Sequence, residues 1–408
     1  MPPNDLREPR ALGVDLTDPA TYEPGFPHDV FARLRDEEPV FRHEARHVPL
    51  TFWGVTKYDD VVAVSRDADT FSSAADGVLL ESSQGGAELM MLNQDAPHHT
   101  RLRSIVNRGF TPKQVKSMED GVRAAARRII DSIAVRGECD FVTDVAAELP
   151  LIVIADLLGV PQEDRHRVFE WTNRMIGRED PEYGITLDEA TDAAAEIFAY
   201  ASELGERRLR EPANDIVTKL LTAEIDGEKL EHMEFVFFFL LLAVAGNETT
   251  RNLLSGGLLA LAEHPDQRAR LMSDRDLLPS AVEEMLRWVS PVMSFRRTAT
   301  RDTEIRGVPI AAGESVVLFY PSANRDAEHF PDPSLFDVGR VPNDHLAFGG
   351  RGPHHCLGAN LARMEIRVLF EEILERIPDF ELTADPSRLR SNLICGIKHL
   401  PIRFTPSG

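Results

Sequence analysis

Cysteine is scarce in this chain: three residues in 408, Cys139, Cys356 and Cys395. They are too few and too scattered for a disulfide framework or a four-cysteine zinc site. A reducing compartment suits such a chain, and a cytoplasmic location is expected. Positive charge is also in deficit. Asp and Glu number 67 against 45 Lys and Arg, a formal net charge of -22. So acidic a surface argues against nucleic acid or an anionic membrane as the main partner. A long hydrophobic run is missing too. The longest, 235–246, falls short of the roughly 18–20 apolar residues that cross a bilayer, and it runs into Asn247 and Glu248. No apolar stretch marks the first residues, so no signal peptide and no membrane span are expected. Residues 1–20 read as a loosely ordered segment. Repeats, low-complexity tracts and an evident linker are all lacking, which favours one domain over 1–408.

What is present is enough apolar residue, 43%, for a large core. Helical patterning runs from Thr111 to about Glu263, with Pro112 and Pro161 where helices start. Residues 234–264 read as one long helix, ended by His264-Pro265. Residues 280–289 read as another, stopped by Ser290-Pro291. Short β-like runs lie around Val55 and over 61–64. Residues 292–320 read as strands turned at Gly307 and Gly313, and 393–404 as a small hairpin. The expected class is mainly α with a minor β part. Residues 321–344 carry much proline and little periodicity, and a structureless stretch of that length is usually functional.

That stretch leads to Phe348-Gly-Gly-Arg-Gly-Pro-His-His-Cys356 and then to a helix with Leu361, Met364, Val368 and Leu369 on one face. Cys356 therefore lies at a helix start, where the macrodipole and free N–H groups favour thiolate over thiol. The glycines would let the backbone pass close to something flat and bulky. A lone thiolate so placed suits the axial position of a haem iron, tuned by the N–H groups of Leu357 and Gly358. The plainer alternative is a buried structural cysteine.

Three further constellations stand out. Ala245-Gly-Asn-Glu-Thr-Thr250 interrupts the long apolar helix, and buried polar groups need partners or a function. Ala245 and Thr249 share a face, and small Ala245 and Gly246 would leave room beside a flat cofactor. Glu248 and Thr249 suit proton delivery to oxygen; equally, the threonine could back-bond to the preceding turn. Glu284 and Arg287 form an i,i+3 pair of a kind common on helix surfaces. His99 and Arg103, with Arg297 and His354, make a donor set suited to two carboxylates such as haem propionates. Taken singly, each reads as a solvated charge.

These motifs, in this order, resemble the cytochrome P-450 superfamily of haem-thiolate monooxygenases, from about Phe26 to Phe404. The resemblance implies the cytochrome P-450 fold, with haem b (iron protoporphyrin IX) between the long central helix and the helix after the cysteine loop. It places the metal ligand at Cys356 and the catalytic acid–alcohol pair at Glu248 and Thr249. Cofactor contacts fall on His99, Arg103, Ala245, Arg297, Phe348 and His354, and a structural triad on Glu284, Arg287 and Arg340. One departure exists: the aromatic usually seven residues before the cysteine is Gly349 here, with Phe348 one place earlier. That departure, with stretches such as 91–103, 243–252 and Gly396-Ile-Lys-His-Leu-Pro401, resembles the actinobacterial branch that oxidises terminal methyls of cholesterol side chains and methyl-branched lipids.

The resemblance further implies a monooxygenase fed by a ferredoxin and an NAD(P)H-dependent ferredoxin reductase. It would insert one atom of O2 into a C–H bond of a hydrophobic small molecule, first of all a steroid or isoprenoid lipid. Alternatives are a terpenoid or polyketide substrate, a non-hydroxylating or peroxide-driven relative, and a haem-based carrier or sensor. The pocket would be lined by Val78, Leu79, Leu241, Ala245, Val292, Phe295, Ile394 and Cys395, although Cys395 reads equally as a packed strand residue. Arg108, Lys113, Arg351 and Arg363 could form a basic docking patch on the cysteine side, or be ordinary solvated charges.

Overall fold

The computed structural model describes residues 12–81, 86–213, 215–224, 227 and 229–407. Helix α1 (His28–Glu37) precedes β1 (Val40–Glu44), β2 (Thr51–Val55), α2 (Tyr58–Arg66) and β3 (Phe71–Ser72). Then come α3 (His98–Val106), α4 (Pro112–Ala134), β4 (Glu138–Asp140), α5 (Glu148–Leu158), α6 (Arg165–Ile176), α7 (Leu187–Arg210) and α8 (Ile216–Thr222). The longest helix is α9 (His232–Glu263), followed by α10 (Pro265–Ser273) and α11 (Leu278–Val289). Strands β5 (Ser294–Ala299), β6 (Thr303–Ile305), β7 (Val308–Ile310) and β8 (Ser315–Phe319) run into a single turn, α12 (Tyr320–Ala323). The chain closes with α13 (Ala359–Arg376) and four short strands: β9 (Glu381–Leu382), β10 (Ser387–Arg388), β11 (Ile397–His399) and β12 (Pro401–Arg403).

Helix α9 is the axis. Glu231 and Glu234 close a capping box at its start, and His264-Pro265 ends it. It is apolar on most sides because it is covered on most sides, by α5, α7, α11 and α13. By length and composition it could cross a bilayer, yet 67% of its most apolar window is buried, which marks a core helix. A five-stranded sheet, ordered β1-β2-β8-β5-β3, flanks this helical body. Only the β2–β8 pairing is parallel. Period-two alternation sends Trp53, Val55, Val316 and Leu318 into one apolar cluster and Phe52, Val317 and Phe319 into another.

Four expectations need correcting. Residues 61–64 belong to α2, not to a strand: buried Val61 and Val64 are three apart, and Asp59 and Asp60 favour the first turn. Residues 393–404 form no hairpin. β11 pairs with β10, whereas β12 pairs with β4 and β9, because only Leu400 separates β11 from β12 and leaves no room for a turn. Pro161 caps a 3-10 turn ahead of α6 rather than the helix itself. In the N-terminal segment, residues 1–11 lie outside the described residues, but Leu16 and Thr17 are buried and Asp15 accepts from the N–H groups of Arg46 and His47.

The irregular stretch after α12 is fixed by charge. Glu284 and Arg287 are wholly buried, and the Arg287 Nε and Nη2 atoms each donate to a Glu284 oxygen at 2.7 Å. Arg340 Nε adds a contact at 3.2 Å, and Arg287 Nη1 donates to the carbonyls of Asn324 and Pro333 at 2.9 Å. A pair that sequence spacing alone would put on a helix surface thus staples α11 to 324–340 and sets up the cysteine loop.

Candidate functional site

A cavity with about 1580 Å³ of atom-free space, including solvent at its mouth, lies between α9 and the start of α13. Cys356 stands in its wall, exposed to the cavity rather than packed against side chains. Its loop is held by its own backbone: Cys356 N–H donates to the Phe348 carbonyl at 2.9 Å, and Gly349 N–H to that of Leu346 at 2.9 Å. The extra residue between Phe348 and Cys356 is absorbed by left-handed Gly349 (φ 97) and Arg351 (φ 63). Phe348 therefore still lines the cavity, with the Arg363 guanidinium over its ring at 4.6 Å.

Two of the loop's glycines serve packing against protein. A Cβ on Gly352 would come within 1.8 Å of the Ser65 carbonyl, and one on Gly350 within 2.1 Å of Ser65 Oγ, both at the end of α2. At Gly358, by contrast, a Cβ would meet nothing within 4 Å, so the space beside the cysteine is open. Burial pushes the Cys356 thiol up; the Gly358 N–H and the charges of Arg103 and Arg363 pull the other way without prevailing. A helix start alone therefore does not make this thiolate, and a cation bound at the sulfur is what would complete it.

The predicted donor set does converge. His99, Arg103, Arg297 and His354 all line the cavity, and the rings of His99 and His354 lie 4.1 Å apart. Arg103 Nη2 donates to the His355 carbonyl at 2.6 Å and Arg297 Nη1 to that of Arg296 at 2.7 Å. Among the described residues no carboxylate pairs with any of the four, and buried His99 Nε2 has no partner. Burial, helped by Arg297, His99 and Arg103, lowers the pKa of His354 to about 3. Uncompensated donors around an open, flat space fit a ligand that brings two carboxylates, as haem does.

On α9 the acid and the alcohol separate. Thr249 lines the cavity with Ala245, and its hydroxyl donates to the Ala245 carbonyl at 2.7 Å. With that hydrogen committed, Thr249 Oγ1 offers only lone pairs to the cavity. Glu248 lies buried outside the lining, paired with Arg251, its Oε1 without a partner among the described residues. Burial raises its pKa, which Arg251 opposes. Gly246 lines the cavity beside Ala245 and also packs on α5, where a Cβ would come within 2.8 Å of the Ile154 Cδ1.

Of the expected pocket residues, Leu241, Ala245, Val292 and Phe295 line the cavity, joined by Met91, Leu92 and Phe238. Val78, Leu79, Ile394 and Cys395 do not. Val78 is buried and bonded through its backbone to Asn93 and Arg296, and Leu79 is exposed. Ile394 bridges Val292 from behind, and Cys395 packs on the apolar cluster around Phe41 and Phe319. The basic patch is largely neutralised: Arg351 pairs with Asp344, and Arg363 grips Glu283 at 2.7 and 2.8 Å. Lys113 is exposed; the Arg108 side chain lies outside the described residues. Sequence reading missed Glu365, a buried cavity-wall carboxyl whose Oε2 has no partner among the described residues and whose pKa is pushed well above the usual range by burial. Its signal was available: it falls on the apolar stripe of α13, four residues after Leu361.

Helical body, side sheet, cysteine-walled cavity and carboxylate-seeking donors together define a haem-thiolate protein. The cytochrome P-450 family model matches residues 181–394. Steroid C26-monooxygenase of Mycobacterium tuberculosis is 46% identical over 411 residues, covering 96% of this chain and 93% of that protein. Methyl-branched lipid omega-hydroxylase of the same species is 46% identical over 386 residues, covering 92% and 90%. A solved Mycobacterium marinum cytochrome P-450 in complex with pseudoionone superimposes with a TM-score of 0.91 at 38% identity, covering 98% of this chain and 100% of that one. The chain belongs to the cytochrome P-450 family, and is an oxidoreductase of its haem-dependent monooxygenase class.

Proposed function

We propose that this single-domain protein works in the cytoplasm as a ferredoxin-dependent hydroxylase. It would insert one atom of O2 into a terminal methyl of a steroid side chain or methyl-branched lipid. One observation carries the substrate class: apart from the charged groups that would take the cofactor's carboxylates, the cavity lined by Thr249 is walled by Met91, Leu92, Phe238, Leu241, Val292 and Phe295. Such a wall selects apolar length and excludes water. The two relatives of 46% identity, by their names, act on molecules of this shape.

Cys356 would hold the haem iron, and His99, Arg103, Arg297 and His354 its propionates. The haem, when bound, supplies reductive activation of O2. The protein's part is proton management and aim. Glu248, its pKa raised by burial against the pull of Arg251 and its Oε1 unpaired among the described residues, suits proton transfer. Arg251 tethers it and reaches Asn173 on α6 at 3.3 Å. Thr249 Oγ1, with its own hydrogen given to Ala245, accepts a hydrogen bond at the reacting end of the cavity.

A spin-state titration tests the substrate class, using cholestenone, short-tailed steroids, branched fatty acids and terpenoids. Cholestenone or the branched acids should give the largest low-to-high-spin shift, by expelling water from the iron. A larger shift with short-tailed steroids or terpenoids would overturn the assignment.

A further inference from the structure

Tyr320, where β8 runs into α12, has no role so far. It is 3% exposed and lines the cavity, yet its Oη makes no hydrogen bond among the described residues. Buried phenols usually find a partner, because an unpaired hydroxyl costs free energy. The ring is held in place at three points. Tyr320 N–H donates to the Met293 carbonyl at 3.0 Å, and the Tyr320 carbonyl accepts from Asn324 N–H at 2.9 Å. The ring also stands edge-on to Phe295, with centroids 6.1 Å apart.

Sheet register decides what the phenol faces. β5 and β8 are antiparallel, with Phe295 opposite Leu318 and Arg297 opposite Val316. Opposed residues share a face, and Tyr320 packs in the same apolar cluster as Val316 and Leu318. Phe295, Arg297 and Tyr320 all reach the cavity. Phe295 gives an apolar wall and Arg297 a charge, and the phenol stands within the field of that charge. Burial raises the pKa of Tyr320 against the pull of Arg297, so the hydroxyl keeps its proton to donate.

That proton has no taker in the protein. A guanidinium carries no acceptor, so it cannot go to Arg297. The carboxylate whose charge acts on Arg297 is Asp95, and it is already engaged by Ser72 Oγ and by the Ser73 N–H at 2.9 Å. An acceptor must therefore arrive with the occupant of the cavity. The turn after Tyr320 also reaches the sulfur side. Asn324 Oδ1 accepts from Leu346 N–H at 2.7 Å, and the Leu346 carbonyl receives Gly349 N–H of the cysteine loop. One short segment thus positions both the phenol and the start of that loop.

We propose that Tyr320 is a further cofactor-binding residue, its Oη donating to the haem carboxylate that Arg297 takes. The guanidinium balances the charge of that carboxylate and the phenol aims it. Being neutral, the phenol adds a hydrogen bond without adding positive charge to a donor set that already holds two arginines.

The proposal rests on the reading that His99, Arg103, Arg297 and His354 take the haem propionates. The probes are therefore haem and its dimethyl ester, which has no carboxylate, and the readout is transfer of each to a haem-free globin. Wild type should release the ester much faster than haem; equal rates would overturn the propionate reading, and the role of Tyr320 with it. Tyr320→Phe removes Oη and keeps the ring. Its haem release should be roughly tenfold faster than that of the wild type, as for one lost bond to a charged group. Release of the ester should not change, and the reduced carbon monoxide adduct should keep its thiolate spectrum. Haem release at the wild-type rate, or equal acceleration for haem and ester, would overturn the proposal while leaving the other four donors in place. A wild-type rate with a weakened cholestenone spin shift would assign the phenol to the substrate instead. Should Tyr320→Phe not load haem, a fluorinated tyrosine at position 320 decides, because it keeps the hydroxyl and makes it a stronger donor. Slower haem release supports the proposal; unchanged or faster release overturns it.

Discussion

Thr249 shows how two readings of one residue can both hold. The hydroxyl back-bonds to Ala245, the structural reading, and that same bond turns its lone pairs toward the cavity, the functional one. Removing the hydroxyl should leave the fold, haem uptake and substrate affinity nearly unchanged, because the Ala245 carbonyl keeps its place in the helix. What should fail is the fate of the electrons. In Thr249→Ala, product formed per NAD(P)H consumed is expected to drop severalfold, the difference appearing as peroxide. Unchanged coupling would remove Thr249 from proton management. Cys356 and the His99, Arg103, Arg297 and His354 set could be singled out by residue type and motif order, and the structure brings all five to one cavity. The direction in which Glu248 points was not legible. Neighbours on a helix are turned by about 100°, and only the packing of α6 and α9 decides which side meets the cavity.

Glu284 and Arg287 belong to the scale of the element. Spacing alone makes such a pair worth little, and burial reverses that. A single substitution leaves the partner's charge stranded, at a cost of about 3–5 kcal/mol. Arg287→Met should therefore lower the urea midpoint of haem loss sharply. The control is Arg403→Met, whose bond to Glu381 is made by side chains 67% and 60% exposed, and which should shift the midpoint little. Equal midpoints for the two variants would show that the staple carries no stability. Long helices such as α9 and α11 were legible from periodicity and from their proline stops. The last strands were not. Each is three residues or fewer, too short to carry a period, and β12 turns from its neighbour β11 to pair with β9 and the distant β4.

At the scale of the whole molecule, the ion cluster that joins the C-terminal strands to the connection between α6 and α7 gives stability a pH dependence with a definite sign. His399 faces Asp140 from β4 and Glu182 from that connection, beside Lys398; its hydrogen bonds to Glu182 and then Asp140 raise its pKa above 6.5. A raised histidine adds stability that is complete below its ordinary value and fades as pH climbs through the raised one. Asp180 and Glu182 run the other way. For Asp180 burial favours the neutral form, but bonds from Arg390 N–H and Lys398 outweigh it; Glu182 is lowered first by Lys398 and then by His399. Their contribution holds above the ordinary carboxylate range and fades as pH falls through the depressed values. The cluster is therefore strongest between those limits. The difference in thermal midpoint between the wild type and His399→Gln should be largest in mildly acidic buffer and should shrink as pH rises past 6.5. The acid limb, set by Asp180 and Glu182, should be common to both proteins. A difference that stays constant from mildly acidic to alkaline pH would show that the charge of His399 adds no stability to the cluster.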